Sequence, residues 1–228
     1  MRSCVWKGVA LARLSILTVC TGNICRSPLA EYFLRDALDC EHFEIASAGT
    51  HAVVGGVVPG QQIKIAAKYG LETINEHRGR QISEKDIHEA DLILTASLRH
   101  RRYVVRTVPA AANKSFTMRE YAYLVSHVQE SDLAELFSGQ KQNLVLAVVA
   151  AHQLRGTVTR LSRESAYDVV DPYGENRRTY RKSADQLIEA NVAIVQFLEL
   201  VEGYEGAFAE ATSDPPAPLN LRGKHHFN

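Results

Sequence analysis

The sequence predicts an α/β fold: a doubly wound, mainly four-stranded parallel sheet with helices on both faces and a phosphate-binding loop after its first strand. Three observations support this. Short β-branched runs alternate with segments of helical period from residue 14 to residue 118, the pattern of successive strand–helix–strand units. The first run ends directly in CTGNICRSP (20–28), which packs two thiols, a Gly-Asn pair, a guanidinium and Ser-Pro together where an ordinary turn needs only the glycine or the proline. The hydrophobic share of 46% and charged share of 23% over 228 residues suit a chain that buries one sizeable core.

Each element has its own warrant. LSILTV (14–19) is a short apolar, β-branched run, as a buried parallel strand requires. After the loop, Ser27 can cap a helix, Pro28 suits its first turn, and Ala30, Phe33, Leu34, Ala37 and Leu38 share one face. FEIASAG (43–49) reads as the second strand and QQIKIAAKYG (61–70) as a helix closed by Gly70. DLILTA (91–96) reads as the third strand, followed by a basic helix around 99–106 whose arginines suit a solvated face, and KSFTM (114–118) as a fourth strand. EYAYLV, DLAELF and LVLAVVAA, the last ended by Gly156, are helical in pattern. In the final helix Ser183 and Gln186 form a capping box, Leu187, Ala190, Ile194, Leu198 and Val201 make a stripe, and Gly203 can terminate it. Residues 1–205 form one expected domain; 206–228, Pro-rich and without period, read as a disordered tail.

Composition excludes several classes. Lys+Arg and Asp+Glu both number 26, so no global field draws the chain to nucleic acid or to an anionic membrane, and any anion binding is local. The four cysteines all fall in the first 40 residues, which is no disulfide framework. Lys7 and Arg13 interrupt the apolar opening, so it reads poorly as a secretory signal, and no apolar run approaches the roughly 20 residues that span a bilayer. A cytoplasmic location is the expectation. His51, His77, His225 and His226 lack metal-ligand spacing, so no metal is assigned. The sequence carries no signal for an oligomeric state.

In doubly wound sheets ligands bind beyond the carboxyl ends of strands, where CTGNICRSP sits. Thr21, Gly22, Asn23 and Ile24 can aim successive backbone N–H groups inward, and the following helix adds the positive end of its dipole. Arg26 contributes a planar fork matched to two oxygens of an oxyanion. Cys20, at the base of this cradle, would feel amides, dipole and guanidinium together, all of which favour the thiolate. A thiolate beneath a bound phosphoryl group is a nucleophile. The nucleotide-binding pattern GxxxxGK[ST] is absent.

What is present is C-x5-R-S, Cys20 to Ser27, the signature of cysteine-dependent phosphatases, and VCTGNICRSPLAE closely resembles the low-molecular-weight protein tyrosine phosphatases. SAGTHAVVG (47–55), HRGRQIS (77–83), ADLILTA (90–96) and DPYG (171–174) resemble counterparts in the bacterial branch of that family. The resemblance implies a metal-free, cofactor-free mechanism on phosphotyrosine. It makes Cys20 the nucleophile, Arg26 the phosphate clamp and Asp171 the general acid, with Ser27 giving a hydroxyl to the thiolate and Asn23 holding the loop's strained backbone. The chemistry asks for the acid independently: a phenolate of pKa about 10 leaves far more readily when protonated, an effect of roughly 10² to 10⁴-fold. Pro172 stiffens the loop that presents it. The expected substrate-binding set is thus Thr21, Gly22, Asn23, Ile24, Cys25 and Ser27, with Tyr173 as an aromatic wall; Cys25 is either packing under the loop or a redox partner for Cys20.

The chain departs from that family in two places. Ala52, Val53 and Val54 stand where many relatives carry an aromatic residue, and the helical segment at about 121–165 is longer than in compact relatives, as an insertion over the cleft or for a partner. The expected partner is a phosphotyrosine protein, with a bacterial tyrosine kinase of capsule or exopolysaccharide assembly as the finer reading. Two rivals use the same loop. An arsenate reductase would pass its disulfide to later cysteines, and none follows Cys40; a non-catalytic phosphotyrosine-binding module needs neither nucleophile nor acid.

Overall fold

The computed structural model describes residues 13–129, 131–133 and 144–210, with side chains as far as residue 203. Four parallel strands, β1 (Leu14–Cys20), β2 (Phe43–Gly49), β3 (Leu92–Thr95) and β4 (Ser115–Thr117), lie in the order β2-β1-β3-β4. Between them run α1 (Arg26–Ala37), α2 (Gly60–Ala66), α3 (Glu84–Glu89) and α4 (Leu98–Thr107). After β4 come α5 (Met118–Val125), α6 (Leu146–Leu154) and a long α7 (Arg177–Glu210). Among the described residues no helix is long and apolar enough to cross a membrane.

β1 is apolar throughout because the sheet is covered on both sides. Leu14 and Ile16 join Phe43, Ile45, Leu92, Leu94 and Phe116 in the larger core beneath α1, α5, α6 and α7. Leu17 and Val19, on the opposite face, meet Ala48, Ile93, Ile87 and Val104 beneath α3 and α4. Chain connections leave β1 toward β2 on one side, and return to β3 on the other. The carboxyl ends of β1 and β3 therefore form the switch point at which such sheets bind ligands.

Local chemistry explains most boundaries. Gly70 adopts φ +75° and closes the turn Ala67–Tyr69 that follows α2. Ser83 with Asp86 and Thr117 with Glu120 build capping boxes for α3 and α5. In three places the structure departs from expectation. Ser27 does not cap α1: the helix begins at Arg26, and the Ser27 hydroxyl is turned to sulfur. The last helix starts at Arg177, six residues before Ser183, because Asn176 Oδ1 accepts from the N–H groups of Arg178 and Thr179 at 2.9 and 3.1 Å; Ser183 lies buried inside it. The helix also runs through Gly203 to Glu210, so 206–210 are helical and only the remainder of the expected tail lies outside the described residues.

The expected stripe of α7 is buried at Leu187, Ala190, Ile194, Leu198 and Val201. In the long segment after α5, residues 131–133 are helical, and the rest of DLAELF lies outside the described residues. Beyond it α6 buries Leu146, Ala147, Val148, Ala150 and Ala151 in the larger core. Arg155, just past α6, bonds Glu120 at 2.9 Å, donates to the Ser115 carbonyl at 2.8 Å and lies 4.1 Å from the Phe116 ring centroid. This part of the segment extends the core past edge strand β4.

Candidate active site

Cys20 is the last residue of β1, opposite Gly49 of β2, and is buried. Its sulfur accepts from the Asn23 N–H at 3.3 Å and from the Ser27 hydroxyl at 3.0 Å. Both donors favour negative charge at that atom. Asn23 has φ +54°, the one positive φ outside glycine among the described residues, and asparagine tolerates this region better than most side chains.

Four residues from three segments hold that conformation in place. Asn23 Nδ2 donates to Ser27 Oγ (2.9 Å) and Ser47 Oγ (2.8 Å), while its Oδ1 accepts from the Arg80 N–H (2.9 Å). The Asn23 carbonyl meets His77 Nε2 at 2.9 Å. Beneath these, the Ser47 hydroxyl donates to Glu31, whose other oxygen pairs with Arg35 at 2.8 Å. The segments that bring Ser47 and Arg80 press close behind the loop: a Cβ at Gly49 would stand 2.5 Å from the Thr21 carbonyl oxygen, and one at Gly79 2.5 Å from that of Val53. Only glycine fits at either position.

The rest of the expected set is arranged around this floor. The carbonyls of Thr21 and Gly22 accept from His51 and Val53 N–H groups, both at 3.0 Å. Ile24 and Cys25 are buried against Tyr180 of α7. Burial, with Cys20 nearby, pushes the Cys25 thiol up to about 12 despite the Tyr180 hydroxyl bond that lowers it.

Arg26 is buried at the mouth of the loop and reaches the acid segment. It donates to the Val169 carbonyl at 3.3 Å, to Thr21 Oγ1 at 3.5 Å and to Asp171 Oδ2 at 2.5 Å, while its Nε has no hydrogen-bond partner. An orphaned, buried guanidinium N–H at the mouth of the loop suits an oxyanion. Asp171 is half-exposed, and its other oxygen accepts from the Tyr173 N–H at 3.2 Å. Tyr173 is 64% exposed, and Val53, beside Gly22, is 47% exposed. The acid segment is tied down by Val169 N–H to the Ala96 carbonyl (2.8 Å) and by Val170 N–H to Gln186 Oε1 (3.0 Å).

Sequence reasoning missed two histidines. His77, given no role on spacing grounds, is buried and supports Asn23; burial lowers its basicity, opposed by Glu31. His100, assigned with its neighbours to a solvated face, is also buried. Its Nε2 lies 2.8 Å from Thr21 Oγ1 and its Nδ1 2.8 Å from Ser97 Oγ. Burial, then the charges of Arg26 and Arg99, pushes it down to about 3, so it serves as a neutral bridge. The i, i+4 spacing of His100 and Val104 was the available signal, since Val104 marks the buried face of α4.

Comparison with known proteins agrees with this arrangement. Residues 15–152 match the family model for low molecular weight phosphotyrosine protein phosphatases. The chain is 34% identical over 107 residues to the low molecular weight protein-tyrosine-phosphatase Etp of Escherichia coli K12, covering 47% of this chain and 70% of that one. It is 32% identical over 124 residues to a protein-arginine-phosphatase of Geobacillus stearothermophilus, covering 54% and 79%. The crystal structure of the tyrosine phosphatase AmsI of Erwinia amylovora superimposes with a TM-score of 0.56 at 26% identity, covering 81% of this chain and 93% of that one. A loop match, a shared fold and a match over residues 15–152 converge on one conclusion: the chain belongs to the low molecular weight phosphotyrosine protein phosphatase family.

Proposed function

We infer that the chain hydrolyses phosphotyrosine in proteins through a cysteinyl-phosphate on Cys20, with Arg26 as clamp and Asp171 as general acid. The observation that carries this reading is the joint geometry of the three: a sulfur receiving two hydrogen bonds at the loop's base, and a buried guanidinium 2.5 Å from a half-exposed carboxylate above it. The incoming phosphoryl group takes the loop amides and Arg26, which frees Asp171 to meet the ester oxygen. The Cys20 thiolate forms the S–P bond as the P–O bond to the phenol breaks, and Asp171 gives its proton to the departing oxygen. Asp171 then takes a proton from water as that water attacks phosphorus; the S–P bond breaks, inorganic phosphate leaves and the thiolate returns. The Ser27 hydroxyl and Asn23 N–H stabilise the sulfur as it leaves.

The exposed Val53 and Tyr173 side chains supply apolar and aromatic walls for a phenyl ring. A second reading, phosphoarginine, draws on the relative named a protein-arginine-phosphatase; Tyr173 can stack on either group, and the apolar Val53 favours the phenyl ring. A tyrosine kinase of polysaccharide assembly as the substrate protein draws only on the likeness of the SAGTHAVVG and HRGRQIS segments to bacterial members. Hydrolysis of phosphotyrosine, phosphoserine and phosphoarginine peptides and a small aryl phosphate, all in EDTA, tests the reading. Phosphotyrosine is expected to lead; preference for phosphoarginine, or loss of activity in EDTA, overturns it.

A further inference from the structure

Next to the loop, but outside it, α2 and the start of α7 enclose a groove of about 390 Å³. Lys64 and Lys68 line one wall, Arg177 and Arg181 the other, and Asp185 is the one carboxylate on its lining. Arg177 and Arg181 stand four residues apart on α7, a spacing at which like charges on a helix repel, and Lys68 follows Lys64 in the turn after α2. Arg177 and Arg181 also sit in the first two turns of α7, which has no acidic residue in its first turn. That is the positive end of the helix dipole, where cations are disfavoured. Among the described residues none of the four is within ion-pair distance of a carboxylate. In a chain with no net charge, this concentrates an excess of positive charge, four cations to one carboxylate, in one concave place, where field lines focus.

The groove shares a wall with the active site. Ile65 lines it and packs on the cluster of Ile24, Cys25 and Tyr180, two of which are loop residues. Arg177 follows Asp171 by six residues, a separation of at most about 20 Å even for an extended chain. A substrate segment with its phosphotyrosine in the loop therefore reaches the groove within about six of its own residues.

We propose that this groove is a second substrate-binding site, which takes carboxylate side chains of an acidic stretch close to the phosphotyrosine. The proposal rests on the phosphotyrosine reading above. An acidic segment converts the repulsive placements of all four cations into attraction and brings the phosphoester to the loop, so it acts through capture. The effect falls on kcat/KM at low substrate and fades with salt.

The test compares three phosphotyrosine peptides, neutral, with a Glu block three to six residues before the phosphotyrosine, and with that block after it, beside a small aryl phosphate too short to reach the groove. One acidic peptide is expected to exceed the neutral one by roughly three- to tenfold in kcat/KM at low salt, the scale of two or three exposed ion pairs. The advantage should disappear at high ionic strength and in Lys64→Glu/Lys68→Glu, which leaves the aryl phosphate unaffected. Equal rates for all three peptides overturn the groove while leaving the phosphotyrosine reading intact. If no phosphotyrosine peptide turns over, that reading fails, and binding of a fluorescent unphosphorylated Glu-rich peptide decides the groove separately: salt-sensitive binding weakened in the double variant supports it, and absence of binding overturns it.

Discussion

Around Cys20, the loop is held by Ser27 and Ser47 with His77 and the Arg80 backbone behind them, all bonded to Asn23 and nearly all buried. Around Asp171, the chain is held by separate bonds strung along it, from Leu98 and Arg119 to Asp168, from the Val169 and Val170 N–H groups to Ala96 and Gln186, and from Arg26 to Asp171, and the carboxylate and Tyr173 face solvent. On the proposed mechanism the difference matches two chemical demands. A nucleophile aimed at phosphorus needs its oxyanion donors fixed before substrate arrives, because reorganisation at the moment of reaction costs rate. An acid must meet a leaving oxygen that enters with the substrate and then turn to water, so it gains from a lighter hold.

The comparison breaks most visibly at its centre. Cys20→Ser is expected to reduce turnover to background yet keep oxyanion binding, so vanadate should still raise its melting temperature. Arg26→Ala should lose both, since it removes the one side chain the two regions share. Full activity in Cys20→Ser would end the mechanism. Asp171→Asn is expected to slow the first step on phosphotyrosine by roughly 10² to 10³-fold, and to slow it much less with a strongly activated aryl phosphate that leaves without help. Single-turnover rates make the measurement, because the carboxylate's work on water affects both substrates in steady state. Equal losses would make Asp171 structural.

Two substitutions sharpen the contrast in how the regions are held. Asn23→Ala leaves the Arg80 N–H without its acceptor, removes the amide donor shared by the Ser27 and Ser47 hydroxyls and puts alanine at positive φ; the urea midpoint should report a loss of about 2–4 kcal/mol. Gln186→Ala removes a single bond to the acid segment and should cost about 1 kcal/mol, with a larger effect on rate than on stability. If the two variants are equally stable, the buried network does not support the loop.

Cys25 gives a kinetic test. With its thiol near 12, little thiolate is present at neutral pH, so capture of an oxidised Cys20 as a disulfide should accelerate roughly tenfold per pH unit from 7 upward. A peroxide pulse followed by alkylation, in wild type and Cys25→Ser, measures this; a flat profile returns Cys25 to packing.

The effect confined to acid pH belongs to His100. Its folded-state value near 3 lies below the usual 6.5, so between those limits the unfolded chain binds the extra proton. Its share of stability is complete above about pH 6.5, declines as pH falls and is gone below about 3. His100→Gln should flatten that part of the urea-stability profile, and identical slopes would show that the bridge does not titrate as described.

The sequence made the sheet legible because buried parallel strands have few alternatives: LSILTV, FEIASAG, DLILTA and KSFTM each hold a strand, although β4 spans only Ser115–Thr117 and Met118 opens α5. Local spacing also marked the loop, since Cys20, Asn23, Arg26 and Ser27 are close in the chain. The supports were not legible, because Ser47, His77, Arg80 and His100 reach the loop through tertiary packing from 20 to 80 residues away. The ends of α7 were misjudged for a different reason. Asn176 is a local cap six residues ahead of the Ser-x-x-Gln pattern, and a glycine inside a helix costs about 1 kcal/mol without having to end it.

The bond between Arg26 and Asp171 joins residues 145 positions apart, and this imposes an order on assembly. Everything that surrounds the sulfur from Cys20 to Arg80 is synthesised before the acid exists. At 5–20 residues per second, the interval from residue 80 to residue 171 lasts roughly 5 to 20 s, and the acid segment still needs α7, whose Gln186 fixes Val170. A nascent chain thus has the bonded floor of the loop early and its walls late, since Ile24 and Cys25 pack on Tyr180 and Arg26 donates to the Val169 carbonyl. On the proposed mechanism, activity during translation is therefore a clock for the docking of α7, which completes both the cradle and the acid.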